Sequence, residues 1–169
     1  MRTILVPLAI AAMMPFAAAA DAKPDFSGEW KLNVDKSNFG PMPPPESETR
    51  TIAHADPALS VKSVRVGGTG DVTTDLKFTT DGKESVNTIK TPAGEIEMKT
   101  TMNWEGNALV GKSKLAVQGM DITSEDHWEM SEDGKTLTVN QKISTPQGDF
   151  EASQVYDKAA AAAAPAANQ

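Results

Sequence analysis

Two histidines, a serine near a glycine, a glycine run and two neighbouring carboxylates are the groups in this 169-residue chain whose types could support chemistry. None has the spacing that chemistry needs. His54 and His127 are the only histidines, and there is no cysteine, which removes thiolate nucleophiles, thiolate metal sites, disulfides and a lipid-modified N-terminal cysteine. On a strand, His127 shares its side with Glu125 and Glu129, a solvated row rather than a metal site. Gly111-Lys112-Ser113-Lys114-Leu115 lacks the second glycine of a strained nucleophile elbow. Gly67-Gly68-Thr69-Gly70 matches a phosphate cradle in composition only, because no helix follows to present its N-terminus to an anion. Asp126 and Glu129 are an odd number of residues apart, so a strand sends them to opposite faces and they cannot share a proton-transfer task. The expectation is a protein that binds without catalysing, with no metal and no cofactor.

The elements that would position any site are strands. Phe26 to Val34 alternates: Phe26, Gly28, Trp30, Leu32 and Val34 on one face, Ser27, Glu29, Lys31 and Asn33 on the other. That period of two is the signature of a half-buried strand. Gly28 before Trp30 lets another segment approach the backbone while the indole plugs the end of a closed sheet. From Ser47 to Lys158, turn signals recur at Asp56-Pro57, Gly67 to Gly70, Asp81-Gly82, Pro92 to Gly94, Glu105 to Asn107, Gln118-Gly119, Asp133-Gly134 and Pro146 to Gly148. This is the rhythm of antiparallel hairpins. No segment between them has the length and amphipathicity of a core helix. About ten strands in a meander would leave two exposed edges unless the sheet curls shut, so the predicted fold is an all-β, antiparallel up-and-down barrel. The four prolines of Asp35 to Pro45 forbid a helix there, so any lid must be a loop carrying Phe39 and Met42.

Residues 1–20 read as a secretory signal, with Arg2, an apolar run from Ile4 to Phe16 and Ala18-Ala19-Ala20 before Asp21. The run is short of a membrane span. Export to a bacterial periplasm or beyond is expected, with a barrel domain over 21–158 and a disordered alanine-rich tail over 159–169. Loss of Arg2 with the signal takes the net charge from −7 to −8, and an acidic surface of that size repels nucleic acid and anionic membranes. A domain of this length without disulfides is held by burial around one core.

Phe26-x-Gly28-x-Trp30-Lys31-Leu32 resembles the opening signature of the calycin superfamily, the lipocalins and intracellular fatty-acid-binding proteins, and Gln154-Val155-Tyr156-Asp157-Lys158 is similar to the segment that ends the fatty-acid-binding group. The resemblance implies a barrel that encloses a small molecule, and in that group arginines on the last strand and on the preceding hairpin hold a carboxylate. The corresponding positions here are Gln154 and the neighbourhood of Trp128, neither cationic, and Asp126 would repel an anion unless protonated or paired. Tyr156 alone matches. A neutral or weakly polar apolar ligand is therefore expected.

Taking the more apolar alternate set of each strand as interior gives an inner face rich in Met98, Met102, Met120 and Met130 but interrupted by Thr100, Ser113, Ser124, Asp126, Gln141, Gln154 and Tyr156. Polar groups among adaptable methionines suit a hydrated pocket. The predicted ligand-binding residues are Trp30, Met98, Met102, Trp104, Asp126, Trp128, Met130, Gln154 and Tyr156. The facing of the strands near 49–66 and 83–90 stays open, because neither alternates cleanly. Two alternatives accompany this reading: a filled barrel whose acidic surface or Pro41 to Pro45 loop docks a protein partner, and a haem-binding barrel, as in some ten-stranded calycin relatives, which requires His54 to point inward.

Overall fold

A computed structural model of the chain describes residues 23–67, 70–91, 94–117 and 119–160. The expected signal segment, and the tail beyond residue 160, lie outside the described residues. The strands follow the turn signals: β1 (Gly28–Leu32), β2 (Ser47–Ala55), β3 (Ala58–Val66), β4 (Val72–Thr79), β5 (Asp81–Thr91), β6 (Gly94–Glu105), β7 (Ala108–Val117), β8 (Met120–Met130), β9 (Thr136–Thr145) and β10 (Gly148–Lys158). A single 3₁₀ turn, Val34–Lys36, is the only helical element among the described residues.

All ladders are antiparallel, and the ten strands form one sheet in the order β4-β3-β2-β1-β10-β9-β8-β7-β6-β5. First and last strands pair through Trp30↔Lys158 and Leu32↔Tyr156, which brings the two terminal signatures side by side. The curl is nearly complete. Its edges, β4 and β5, follow one another in the chain but share no ladder. The Asn87 side chain spans the gap instead, accepting from Lys77 N at 2.8 Å and donating to Lys77 O at 2.9 Å, while Ser85 Oγ accepts from Thr79 N at 3.2 Å. An amide side chain offers an N–H donor beside a carbonyl acceptor, so Asn87 pairs both backbone groups of Lys77 as one residue of ladder would.

Trp30 is fully buried, and its Nε1 donates to Phe26 O at 2.8 Å, which ties the indole to the chain entering the strand. Gly28 has φ +135°, and a Cβ there would meet Lys158 Cε at 2.8 Å. The glycine is thus the place where the Lys158 side chain crosses the first strand, its ammonium 5.0 Å from the centre of the Trp30 ring. Around Trp30 lies the hydrophobic core, with Phe26, Ile52, Leu59, Leu109, Trp128, Leu137 and Tyr156, and with Trp104 and Met130 packed against it. This fills one end of the barrel.

Two details differ from the sequence-based expectation. Asp81-Gly82 is not the β4–β5 turn; both residues belong to β5, where the register slips between Asp81 and Glu84. Gly82 has φ +82°, and a Cβ would come 2.5 Å from Asn103 Oδ1, so a bulge rather than a hairpin is what needs the glycine. The turn itself is Thr80, whose N donates to Pro57 O at 2.9 Å. The proline-rich connector is neither helix nor free flap. Asn38 exchanges two 2.7 Å backbone hydrogen bonds with Ser153, prolonging the β1 side of the wall along β10; Phe39 is buried and Met42 stays exposed.

Candidate functional site

The inner face of β2 and β3 decides the interior. Register pairs Glu48 with Arg65, Arg50 with Ser63 and Ile52 with Val61, and these are the inward residues. Glu48 is only 3% exposed. Its Oε1 accepts from Arg50 Nε at 2.6 Å and from the Tyr156 hydroxyl at 3.0 Å, and its Oε2 accepts from Arg65 Nε at 2.6 Å. Arg50 Nη2 donates to Gln154 Oε1 at 3.1 Å, and the Tyr156 hydroxyl, whose single proton is shared with Glu48 Oε1, lies 2.7 Å from the same oxygen. The Arg50 guanidinium lies 4.4 Å from the centre of the Tyr156 ring. Burial would raise the Glu48 carboxyl, but the Arg50 and Arg65 guanidiniums outweigh it and hold the group below its ordinary range. Burial pushes the Tyr156 phenol well above its ordinary value, so it is a neutral donor here.

Beside this cluster, on the inner face of the sheet, is a partly open cavity of about 160 Å³. Its wall combines Val61, Leu76, Phe78, Met98, Met102, Trp128 and Val139 with Arg50, Ser63, Thr74, Thr100, Ser113, Asp126 and Gln141. Much of the polar part is already satisfied across strands: Ser63 Oγ with Thr74 Oγ1 at 2.7 Å, Thr100 Oγ1 with Ser113 Oγ at 2.8 Å, and Gln141 Nε2 donating to Asp126 Oδ1 at 3.1 Å. Burial pushes the Asp126 carboxyl above its ordinary value, against the hydrogen bond from Gln141 and the nearby charge of Arg50. Gly111 leaves room for Met102, whose Cε would lie 3.3 Å from a Cβ at that position.

Four of the residues expected from the sequence, Met98, Met102, Asp126 and Trp128, line this cavity. Trp30, Trp104 and Met130 belong to the plug at the filled end, Trp30 within the buried cluster and the other two partly buried against it. Gln154 and Tyr156 are in the buried polar cluster, one layer from the cavity. The strands that the sequence left open contribute what it did not supply: an interior cation, Arg50, together with its partner Glu48. The pattern Glu48-x-Arg50-x-Ile52 does alternate against Thr49 and Thr51, but a rule that takes apolar residues as interior discards it.

His54 is inward by register, yet it sits at the filled end. Its ring packs 5.7 Å from Phe26 and 5.8 Å from Trp104, and Nδ1 accepts from Phe26 N at 3.4 Å. It is not on the cavity wall. His127 is outward, with Nε2 3.1 Å from Glu125 Oε1. Among the described residues no group of three or more ligating side chains could hold a metal ion.

Beyond the cavity, towards the β1–β2 connector, the inward positions form a half-buried apolar rim in which Ile89 faces Ile96, Leu115 faces Ile122 and Ile143 faces Phe150. The barrel is therefore closed by aromatic volume at one end, polar at its waist and greasy at its other rim.

No family model matches the chain, and no curated protein matches it. Solved structures do. An SAHS (secretory abundant heat soluble) protein from Ramazzottius varieornatus superposes with a TM-score of 0.57 at 16% identity, covering 79% of this chain and 94% of the other. Secretory abundant heat soluble protein 4 from the same organism gives 0.54 at 13% identity, over 82% and 97%. Zebrafish ileal bile acid-binding protein, solved with cholic acid, gives 0.52 at 18% identity, over 79% and 98%. At such identities the likeness is one of fold: a nearly closed, ten-stranded antiparallel barrel.

Proposed function

We propose that this protein is an exported, non-enzymatic carrier that holds a small, largely apolar molecule inside its barrel. The observation that carries the proposal is the partly open cavity on the inner face of β2 to β4 and β6 to β9, whose wall mixes aromatic, methionine and polar side chains. Ligand sites are concave and mostly apolar, with a few placed polar groups. The shared fold with a bile acid-binding protein supports the same reading. At about 160 Å³ the cavity is below the roughly 300 Å³ at which drug-sized sites begin. Its occupant is accordingly small, or extends past Met98 towards the apolar rim of Ile89, Ile96, Leu115 and Ile122. The methionine-lined stretch of wall formed by Met98 and Met102 can yield by rotamer change. The acidic net charge favours neither nucleic acid nor an anionic membrane as partner.

Organic extraction of purified protein, followed by native mass spectrometry of the protein with added small apolar compounds, tests the proposal. A retained molecule whose addition perturbs the amide signals of inward residues on β6 to β9 is expected. No retained molecule, and perturbations confined to outward residues, would refute it.

A further inference from the structure

The cavity's leftover hydrogen-bonding capacity identifies the polar group its ligand carries. Ser63 with Thr74 and Thr100 with Ser113 satisfy one another, so they ask nothing of a guest. Three groups are not used up. Arg50 spends Nε on Glu48 and Nη2 on Gln154, which leaves the remaining N–H groups of its five-donor fork for another acceptor. Asp126 receives Gln141 on Oδ1 and a further hydrogen bond from the Ser124 side chain, while a carboxylate has room for about four donors. Trp128 Nε1 is buried with no partner. All three residues border a space whose volume is that of a sphere about 7 Å across, within the span of one small molecule.

The charges exclude ions. Glu48 neutralises one of its two guanidiniums, and Asp126, on the opposite wall, offsets the other. A carboxylate guest would lie against Asp126, and an ammonium guest against Arg50. Either would add an uncompensated charge to a partly desolvated site, which disfavours it. A neutral group adds none. Resting on the reading that the barrel holds a small molecule, we infer that the ligand carries a neutral polar head with acceptor and donor on neighbouring atoms, as a primary amide does, its acceptor facing Arg50 and its donor facing Asp126. The apolar remainder then points at Met98 and Met102 and the rim beyond.

Four probes sharing one ring separate the possibilities: toluene, benzamide, benzoate and benzylammonium, each titrated at pH 7 into the full-length chain, with amide shift mapping to locate the site and affinities from the titration. Benzamide is expected to bind about tenfold or more tighter than each of the others, the equivalent of one or two well-formed hydrogen bonds. In Asp126→Asn, which keeps the shape and the Gln141 bond, benzoate is expected to gain at least as much as benzamide loses. If none of the probes shifts an inward residue, the carrier reading and this inference fall together. If toluene matches benzamide, if either ion binds best, or if the Asp126→Asn ranking is unchanged, the inference falls and the carrier reading stands.

Discussion

Replacing Glu48 by Ala should be among the most damaging single changes in the barrel. Three donors converge on this one carboxylate: Arg50 Nε, Arg65 Nε and the Tyr156 hydroxyl. Deleting it leaves Arg50, 13% exposed, without its hydrogen-bonded counter-ion and with only the more distant Asp126 carboxyl to offset its charge, whereas Arg65, 41% exposed, can turn to water and adds little. Breaking a buried pair by removing one partner costs about 3–5 kcal/mol, and the freedom of Arg65 places this case at about 3–4. For a domain of this size that corresponds to a fall of roughly 9–15 °C in melting temperature. Urea denaturation of both proteins from pH 3 to 8 measures it. The sign with pH follows from the depressed Glu48 carboxyl: its stabilisation is complete above the unfolded-state value near 4.5 and disappears as pH falls through the lower, folded-state value. The gap between wild type and Glu48→Ala should thus be full at pH 6–8 and narrow below about 4.5. A loss under about 1 kcal/mol at pH 7, the level of an exposed pair, would refute the reasoning. So would a gap that stays constant down to pH 3.

Asn87→Ala should unpair both backbone groups of Lys77 at the β4–β5 gap, costing about 1–3 kcal/mol and accelerating hydrogen exchange at the Lys77 amide; unchanged exchange there would mean that the gap is held by something else. Asp126→Asn should behave in the opposite sense to Glu48→Ala. Burial raises the Asp126 carboxyl above its ordinary 3.8, so its ionised form weighs against the fold. Both states are protonated well below that value and the variant should then match wild type. As pH rises through the folded-state titration the variant should become the more stable of the two, and equal stabilities at pH 7 would contradict this.

The sequence alone determined the class of fold. Period-two alternation in Phe26 to Val34, and turn residues at intervals suited to hairpins, leave few architectures other than a long antiparallel meander, because each rule acts over a few neighbouring residues. It also placed Trp30 at the buried end, since a glycine beside a tryptophan on a strand has one reasonable use, which Lys158 crossing Gly28 shows. The same local reading found Met98, Met102, Asp126 and Trp128 on the wall of the cavity.

What it could not reach depends on partners distant in the chain. Glu48 is unattractive as an interior residue until Arg50, Arg65 and Tyr156, the last 108 residues away, are seen to converge on it. Asp81-Gly82 looks like a hairpin until Asn103 is seen to crowd the glycine. Trp104 and Met130 look like pocket lining until the sheet's curvature brings them onto Phe26 and Trp30, where volume closes the barrel rather than enclosing space. Burial of charge is favourable only in company, and the company is assembled by the closed sheet: the strand pattern fixed which side each residue faces, and the tertiary structure decided what it meets there.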